Sequence, residues 1–516
     1  MKMKKQTELC EEKQKRTKKE QTTEDYSTEF SRMLGGLIKE STYSIYKISQ
    51  MTGLGRTAIQ HALTGRLLPG RSFVESICKA LMLTPAQTAQ LKEAYFKVKI
   101  GKDVYDKRQS LIKAAGRIGE NITVNNDIER AAANIRLSDT DNDMLFDGFD
   151  GYKDSLAVIY KLMTEEADSV EKTIYTTLPL ESSGVMDLMS AFVIGHHNVN
   201  VKHFIRMYKD ENGECTEKNL EFMYKAVNLS LYSFGKYEPY CFYSFKNAAE
   251  DIAPIFPYIV VTSKYTAEIS ADFQYSHIMK SLKMRSAFIA HINKLFGISE
   301  KFIDFMTYTE FMDKCDTDSE CLRTSIQYDP CVMEIFSKNE IDRYISDKMK
   351  DSEFMRKMAD KMYTDVEKRI KAGEQKYESY CFFSGIKRFI DTGKFWLFSE
   401  EMSSSFDAAD RLGVLYAIKE NDRLKLIDDS KYPMSNRLEV DLFENRKILI
   451  ISKFSGVIYY MMIREPYVYS AFEDLMLNLS DHDFVIGNEK KKELLDKYIQ
   501  RLEGRTEGTE TADAVC

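Results

Sequence analysis

Apolar residues between positions 25 and 97 recur every three or four residues, which is the period of an amphipathic helix. Glycine and proline interrupt this pattern at Gly53, Gly65, Pro69-Gly70 and Thr84-Pro85. Thr84-Pro85 is typical of a helix start, because Thr caps the helix and Pro suits its first position. The pattern predicts five short helices, and helical character continues through residues 98–135.

From about residue 150 the pattern changes to alternating strands and helices, which predicts an α/β domain over 150–297. A helix is predicted there at His277–Leu295. Residues 298–380 are highly charged and predicted to be mainly helical, with Arg343–Lys371 as the longest such stretch. Residues 381–505 are predicted to be mixed again, with Leu412–Ile418 as one of five strands. No internal repeat is visible in the sequence.

These patterns predict a multidomain protein with an all-α N-terminal domain and a mixed α/β (α+β) C-terminal region. A length of 516 residues is too great for one ordinary hydrophobic core. The predicted order is a disordered arm (1–24), the helical domain (25–100), a helical connector (101–149), an α/β domain (150–297), a mainly helical segment (298–380), an α+β domain (381–505) and a disordered tail (506–516).

The charge of the chain is unevenly distributed. Residues 1–130 hold 24 lysines and arginines against 15 acidic residues, a net charge of +9. The rest holds 49 against 65, a net charge of −16, although the whole chain carries only −7. A basic end on an acidic protein is expected when only that end binds phosphate.

The cysteines and the N-terminus indicate a cytoplasmic protein. Nine cysteines are scattered along the chain without a CxxC pair, which is typical of reduced thiols. Residues 1–24 have no apolar segment of the kind found in a signal peptide. The most apolar stretch, Ile448–Ile463, contains Lys453 and is too short for a membrane span.

The segment Ser44–Gly65 has the residues that two short helices joined by a sharp turn require. Ser49 is small where the helices would cross, and Gly53 can turn the chain without strain. Three apolar residues suit the turn and the buried side of the second helix, and the opposite side of that helix is polar. The apolar residues are Leu54, Ile59 and Leu63.

This segment resembles the helix-turn-helix of the lambda-repressor/Cro-like (XRE-type) transcriptional regulators. The resemblance covers about residues 28–97, since Arg66-Leu67-Leu68-Pro69 and Arg71–Leu83 match the turn and the helix that follow in the family. The chain departs from the family at Gly55, where Ser or Thr often caps the recognition helix, and at Leu63, where Glu is common. The resemblance implies sequence-specific binding of double-stranded DNA and regulation of transcription.

Site residues follow from the resemblance by position. It implies that Arg56, Thr57, Gln60 and His61 face the bases of the major groove. It also implies that Lys47, Arg66 and Arg71 contact phosphates, which position the protein without specifying sequence. Such heads commonly bind palindromic half-sites as dimers. We therefore expect a homodimer held by residues 150–500, with a small-molecule or peptide effector in that region.

The sequence gives only weak signals for metal binding or catalysis, and we predict no catalytic residue, metal site or cofactor. Asp139–Asp143 resembles the start of a calcium loop, but Met144 and Asp150 stand where such a loop has Gly and Glu, which indicates a solvated acidic loop. The histidines at 196, 197 and 203 favour structural or surface roles, since no HExxH motif is present. The aromatic runs Tyr237–Tyr243 and Tyr459–Tyr467 fit either core strands or the lining of a ligand pocket.

Three other functional readings remain open. The helix-turn-helix motif also occurs in contacts between proteins, although the polar outer side of its second helix counts against that use. The chain also fits an enzyme, or a defence or mobile-element effector, that uses this domain for DNA targeting or autoregulation. A third reading is a protein-interaction scaffold, such as the antitoxin side of a pair.

Overall fold

The computed structural model describes most of the chain. The described residues are 27–120, 126–137, 144–146, 151–209, 217–245, 255–314, 322–330, 343–344, 353, 360, 378–396, 403–435 and 438–506. The predicted arm at 1–24, the acidic loop Asp139–Asp143, nearly all of Arg343–Lys371 and the tail after residue 506 lie outside them. The chain divides into two compact units, Met1–Gln109 and Ser110–Cys516, which we call the head and the body.

The head contains the five helices that the sequence predicts. Their buried residues form one small core that includes Leu34, Ile48, Ile59, Ile77 and Leu91. Thr84 caps the fifth helix as predicted, since its hydroxyl accepts a hydrogen bond from the Gln87 amide at 3.2 Å. The helices are α1 (Glu29–Glu40), α2 (Ile45–Thr52), α3 (Arg56–Leu63), α4 (Arg71–Ala80) and α5 (Pro85–Ile100).

Two mixed β-sheets interleaved with helices make up the body. Helix α6 (Lys102–Gly116) crosses the boundary between the units in sequence, and α7 (Asp127–Ala133) follows it. The first half of the body contains β1 (Met144–Phe146), α8 (Gly151–Glu166), β2 (Thr173–Thr176), α9 (Ser183–Gly195), β3 (Asn200–Lys209), α10 (Glu217–Tyr232), β4 (Tyr237–Phe245), β5 (Tyr258–Val261), β6 (Thr266–Ile269), β7 (Ser276–Met279), α11 (Leu282–Ile298) and β8 (Glu300–Lys301).

The second half of the body continues directly from the first. It contains β9 (Ile303–Thr307), α12 (Tyr308–Lys314), β10 (Leu322–Gln327), β11 (Glu378–Phe382), α13 (Phe383–Thr392), α14 (Ala408–Glu420), β12 (Leu424–Ile427), β13 (Leu438–Phe443), β14 (Ile448–Phe454), β15 (Val457–Ile463), α15 (Pro466–Met476), a 3₁₀ turn (Leu479–Asp481), β16 (Val485–Ile486) and α16 (Asn488–Thr506).

The two sheets have the same topology. The first runs β1-β7-β6-β5-β2-β3-β4-β8, and the second runs β9-β15-β14-β13-β10-β11-β12-β16. In each sheet the fifth to seventh strands of this order (β2-β3-β4 and β10-β11-β12) are parallel, and every other pairing is antiparallel. The body is therefore a tandem repeat of one eight-stranded arrangement, which the sequence analysis missed.

Each sheet carries helices on both sides. The side of sheet 1 that faces the second half is covered by α8, α9 and α10, and its outer side by α11. The side of sheet 2 that faces the first half is covered by α15, and its outer side by α12, α13, α14 and α16. The central core lies between the sheets and holds Phe192 and Val227 of the first half with Tyr380, Ile450 and Phe472 of the second.

One predicted element begins too early and another has the wrong type, because a short apolar run fits a strand or a helix equally well. His277–Met279 belongs to β7, which pairs with β1 and β6, and the predicted helix begins only after Ser281 caps it. Leu412–Ile418 lies in helix α14, which Asp407 caps and whose Val414, Leu415 and Ile418 are buried.

Residues 298–380 contain strands β8 to β11 in their described part and are not mainly helical there. Strand β9 pairs with β15, and β10 pairs with β13, so each is held by a strand more than a hundred residues away. Local periodicity cannot reveal such pairings, because the partner supplies the stabilising contacts.

Gly385 gives a prediction about packing in the second half. A Cβ at this position in α13 would overlap the carbonyl oxygen of Tyr328, whereas a Cβ at Gly413 in α14 meets no atom within 4 Å. We expect Gly385→Ala to lower the free energy of unfolding by about 1–3 kcal/mol, the usual range for overpacking. Gly413→Ala is the matched control and is expected to stabilise by roughly 0.5–1 kcal/mol. Denaturant unfolding measures both, and equal effects of the two substitutions would contradict this packing.

Candidate nucleic-acid interface

The turn between α2 and α3 is built as the sequence predicts. Gly53 ends α2 with φ +72°, a left-handed conformation that costs most other residues energy. The Ser49 hydroxyl donates a hydrogen bond to the Leu54 carbonyl at 2.6 Å, and the Thr52 hydroxyl accepts one from the Leu54 amide at 3.2 Å. Ser49 is therefore more than a small residue, since its hydroxyl ties α2 to the turn.

Helix α3 has one buried side and one exposed side. Ile59 and Ala62 are 0% and 1% exposed and pack in the core of the head, where Leu63 is half-buried. Gly55 caps α3 without a side-chain hydrogen bond, so the departure from the family costs the helix one capping interaction.

The four predicted base-contacting residues share the outward side of α3. Arg56, Thr57 and Gln60 are exposed, and His61 is half-buried. No hydrogen bond to another side chain occupies Arg56 or Gln60 among the described residues. Readout of base edges in the major groove requires hydrogen-bond donors and acceptors on an exposed side of a helix, and these residues supply them.

The three residues predicted to contact phosphates differ in exposure and in ion pairing. Lys47 on α2 and Arg66 after α3 are exposed. Arg71 is half-buried, and its Nε lies 3.2 Å from Glu75 Oε1 in an i,i+4 ion pair on α4. Arg71 must leave or share that carboxylate to bind a phosphate, so it is the weakest of the three candidates.

Sequence reasoning missed Tyr46 and Gln50, which lie one turn apart on α2 beside the start of α3. Tyr46 is 57% exposed, and the Gln50 amide donates to its hydroxyl at 2.7 Å. The Arg56 guanidinium carbon lies 6.0 Å from the centre of the Tyr46 ring, the outer limit of a cation–π contact. The i,i+4 spacing of two exposed residues on the helix before Gly53 was the available signal.

The basic charge belongs mainly to the described part of the head. Residues 27–109 hold 13 lysines and arginines against six acidic residues, a net charge of +7, while residues 1–26 contribute only +2. The excess therefore lies on the folded helices around α3 and favours approach of a polyanion.

The histidines of the body have separate structural partners. His203 is fully buried between the Leu178 carbonyl at 2.6 Å and the Tyr237 hydroxyl at 2.8 Å, and burial lowers its pKa to about 4. His196 stacks on Phe192. Among the described residues, no group of three His, Cys, Asp or Glu side chains has the geometry to hold a metal ion.

The two aromatic runs form core strands over most of their length and meet at their ends. Tyr237 and Tyr459 are buried. Tyr243 lies with its ring centre 5.7 Å from that of Tyr467, and its hydroxyl donates to Glu465. Lys209 Nζ sits 4.3 Å from the Tyr243 ring centre, which makes a polar and aromatic cluster.

No helix in the described part of the chain is long and apolar enough to cross a membrane.

The turn and the cap of α3 give a paired prediction. Serine at position 53 would have to adopt the left-handed conformation, so Gly53→Ser should destabilise the head by about 1–2 kcal/mol. Serine at position 55 fits φ −64° and adds a capping hydroxyl, so Gly55→Ser should stabilise α3 by roughly a few tenths of a kcal/mol. Neither Cβ meets an atom within 4 Å, so backbone conformation alone separates the two glycines.

Amide hydrogen exchange at Ile48 and Ile59 measures this difference, since their amides donate within the first turns of α2 and α3. Exchange should quicken in Gly53→Ser and slow in Gly55→Ser. Shifts of the same sign in both variants would contradict the turn described here.

Comparisons with known proteins add little. No protein-family model matches the chain, and no curated protein matches it. A solved structure of TrmBL2, an archaeal chromatin protein reported to show a novel mode of DNA binding, aligns with 53% of this chain and 99% of its own at 12% identity. The TM-score of that alignment is 0.22, so neither the fold nor the function of this chain is argued from it.

Proposed function

We propose that the protein is a sequence-specific, double-stranded DNA-binding transcriptional regulator with an XRE-type head and a body without enzymatic activity. The observation that carries the proposal is the two-sided character of α3. Ile59 and Ala62 anchor it after a left-handed glycine turn, while Arg56, Thr57 and Gln60 stay exposed on the other side. That arrangement supports insertion of α3 into the major groove.

The exposed residues have the chemistry to discriminate bases. Arg56 can donate two hydrogen bonds to guanine O6 and N7, and Gln60 can pair with adenine N6 and N7. Thr57 and His61 complete the surface beside them. Lys47 and Arg66 flank α3 and are proposed to bind phosphates, with Arg71 joining them if it releases Glu75.

Tyr46 and Gln50 are proposed to prepare Arg56 for this role. An arginine that leans on an aromatic ring has fewer side-chain conformations to lose when it binds a base. Gln50 fixes the Tyr46 hydroxyl, so the ring is itself held in place.

The body is proposed to join two copies and to receive the regulatory signal. One head buries too little surface for tight specific binding, so the proposal includes two copies on the DNA, and a homodimer is the smallest assembly that supplies them. The small-molecule or peptide effector stays assigned to the body, where the cluster of Tyr243, Tyr467 and Lys209 offers a polar and aromatic surface.

Selection from a library of random duplexes, followed by sequencing at low and at physiological salt, tests the proposal. The full-length protein should enrich one motif, and the spacing and orientation of its half-sites report how two copies are related. Weak binding that depends on salt but enriches no motif would contradict the proposal, since contact with phosphates alone behaves in that way.

Two substitutions separate readout of bases from contact with phosphates. Gln60→Ala should cost about 1–3 kcal/mol at one base position and relax the preference there. Arg66→Ala should weaken binding to all duplexes and lower the salt slope by about 1. Fluorescence anisotropy with a panel of single-base variants of the selected site measures both. Uniform weakening by Gln60→Ala would show that this residue contacts the backbone instead.

A further inference from the structure

Helix α11 is unusually exposed for its composition. Of its 17 residues only Ile292 is buried, although the helix also contains Leu282, Met284, Phe288 and Ile298. Leu282 is 81% exposed, Ile298 is 67% exposed and Met284 is 40% exposed. These three large apolar side chains, near the two ends of the helix, have little cover in the described part of the chain, although a surface helix normally buries such residues.

The side of α11 that does pack lies against the outer side of sheet 1. Phe288, Ile289 and Ile292 contact that sheet with Leu295 and Phe296. The opposite side presents Ala287 and Ala290, with Lys283 and Lys294 one turn beyond them at either end. Two small residues at the centre of an exposed helix leave room for another helix to approach closely.

The second half contains a helix at the equivalent place. Helix α15 joins β15 to β16, as α11 joins β7 to β8. Six of its 11 residues are buried, and these are Val468, Tyr469, Ala471, Phe472, Leu475 and Met476. Equivalent helices of one repeated fold therefore have opposite surroundings.

The reason is the way in which the two halves stack. Helix α10 connects β3 to β4 on the side that faces the second half, and it contacts α15. Its equivalents α13 and α14 connect β11 to β12 on the side that faces away from the first half. The two halves therefore pack front to back: the crossover-helix side of the first half lies against the α15 side of the second half.

A front-to-back stack of two halves always leaves one side of each half without the other half as a partner. Among the described residues, the sides not covered by the other half are the α11 side of the first half and the side of the second half that carries α13, α14 and α16. These two sides are equivalent to the pair that already pack against each other inside the body.

We propose that α11 binds a second copy of this chain, and that the copy contributes its α13–α14–α16 side. The contact repeats between chains the packing that the halves make within one chain. A two-fold contact of α11 with α11 is disfavoured, because Lys283 would then face Lys294 of the other copy. Residues 280–299 carry Lys280, Lys283, Arg285 and Lys294 but no acidic residue that could offset this repulsion.

The association itself takes place without DNA and does not depend on the proposed function.

Sedimentation velocity of the full-length protein without DNA tests the contact. The average mass of the wild type should rise with concentration and pass that of a dimer. Ala290→Arg should abolish the rise, because it places a bulky charge on the outward side of α11 while keeping a residue that favours helix. Ala133→Arg is the matched control, since Ala133 is an exposed helical alanine on α7, and it should behave as the wild type.

A second variant distinguishes front-to-back association of the bodies from two-fold association. Tyr416 is 44% exposed on α14, so Tyr416→Arg should block the other side of the stack. Each blocked variant should sediment as a monomer, whereas an equimolar mixture of the two should form a heterodimer and stop there. Circular dichroism and the unfolding midpoint show that both variants are folded.

Three results would overturn the proposal. The first is a wild-type mass that stays constant with concentration. The second is association of Tyr416→Arg to the wild-type extent while Ala290→Arg stays monomeric, which indicates a two-fold α11 contact. The third is an Ala290→Arg protein that associates as the wild type does but binds DNA with a different affinity, which would make DNA the partner of α11.

Discussion

The burial of Ile59 and Ala62 determines which side of α3 faces solvent. A helix of eight residues has only two turns and cannot remain folded without tertiary contacts. These two residues supply them, and the left-handed turn at Gly53 sets the direction in which α3 leaves α2. Every proposed contact with a base depends on this constraint, because rotating α3 about its axis would carry Arg56 and Gln60 into the core.

The body obeys a different constraint, which is the burial of both sides of two sheets. Each half covers its parallel strands with crossover helices, and the two halves share the core between the sheets. Stacking in one direction lets the crossover helices of the first half cover the second sheet, but among the described residues it leaves the outward side of α11 exposed. The same rule that builds the body therefore also gives it an incomplete edge.

Sequence patterns predicted the head well because its signals are local. Gly53 and Thr84-Pro85 each act within one or two turns, the apolar residues of each helix recur at the helical period, and all five helices appear where predicted. Tyr46 was missed because its contact with Arg56 crosses the turn.

The body was harder to predict because its strands depend on distant partners. Strands β9 and β10 lie in a charged stretch and are stabilised by β15 and β13, which no local window includes. The repeat of eight strands is visible only in the order of pairing. The base-contacting role of Arg56, Thr57, Gln60 and His61 remains a prediction, as does the phosphate role of Lys47, Arg66 and Arg71.

Methylation interference on the selected DNA site tests the central claim most directly, because it reports which groove α3 enters. Guanine N7 lies in the major groove and adenine N3 in the minor groove. The account predicts that methylated guanines within the site block binding of the full-length protein, whereas methylated adenines do not. Interference at adenine N3 alone, or at neither position, would contradict insertion of α3 into the major groove.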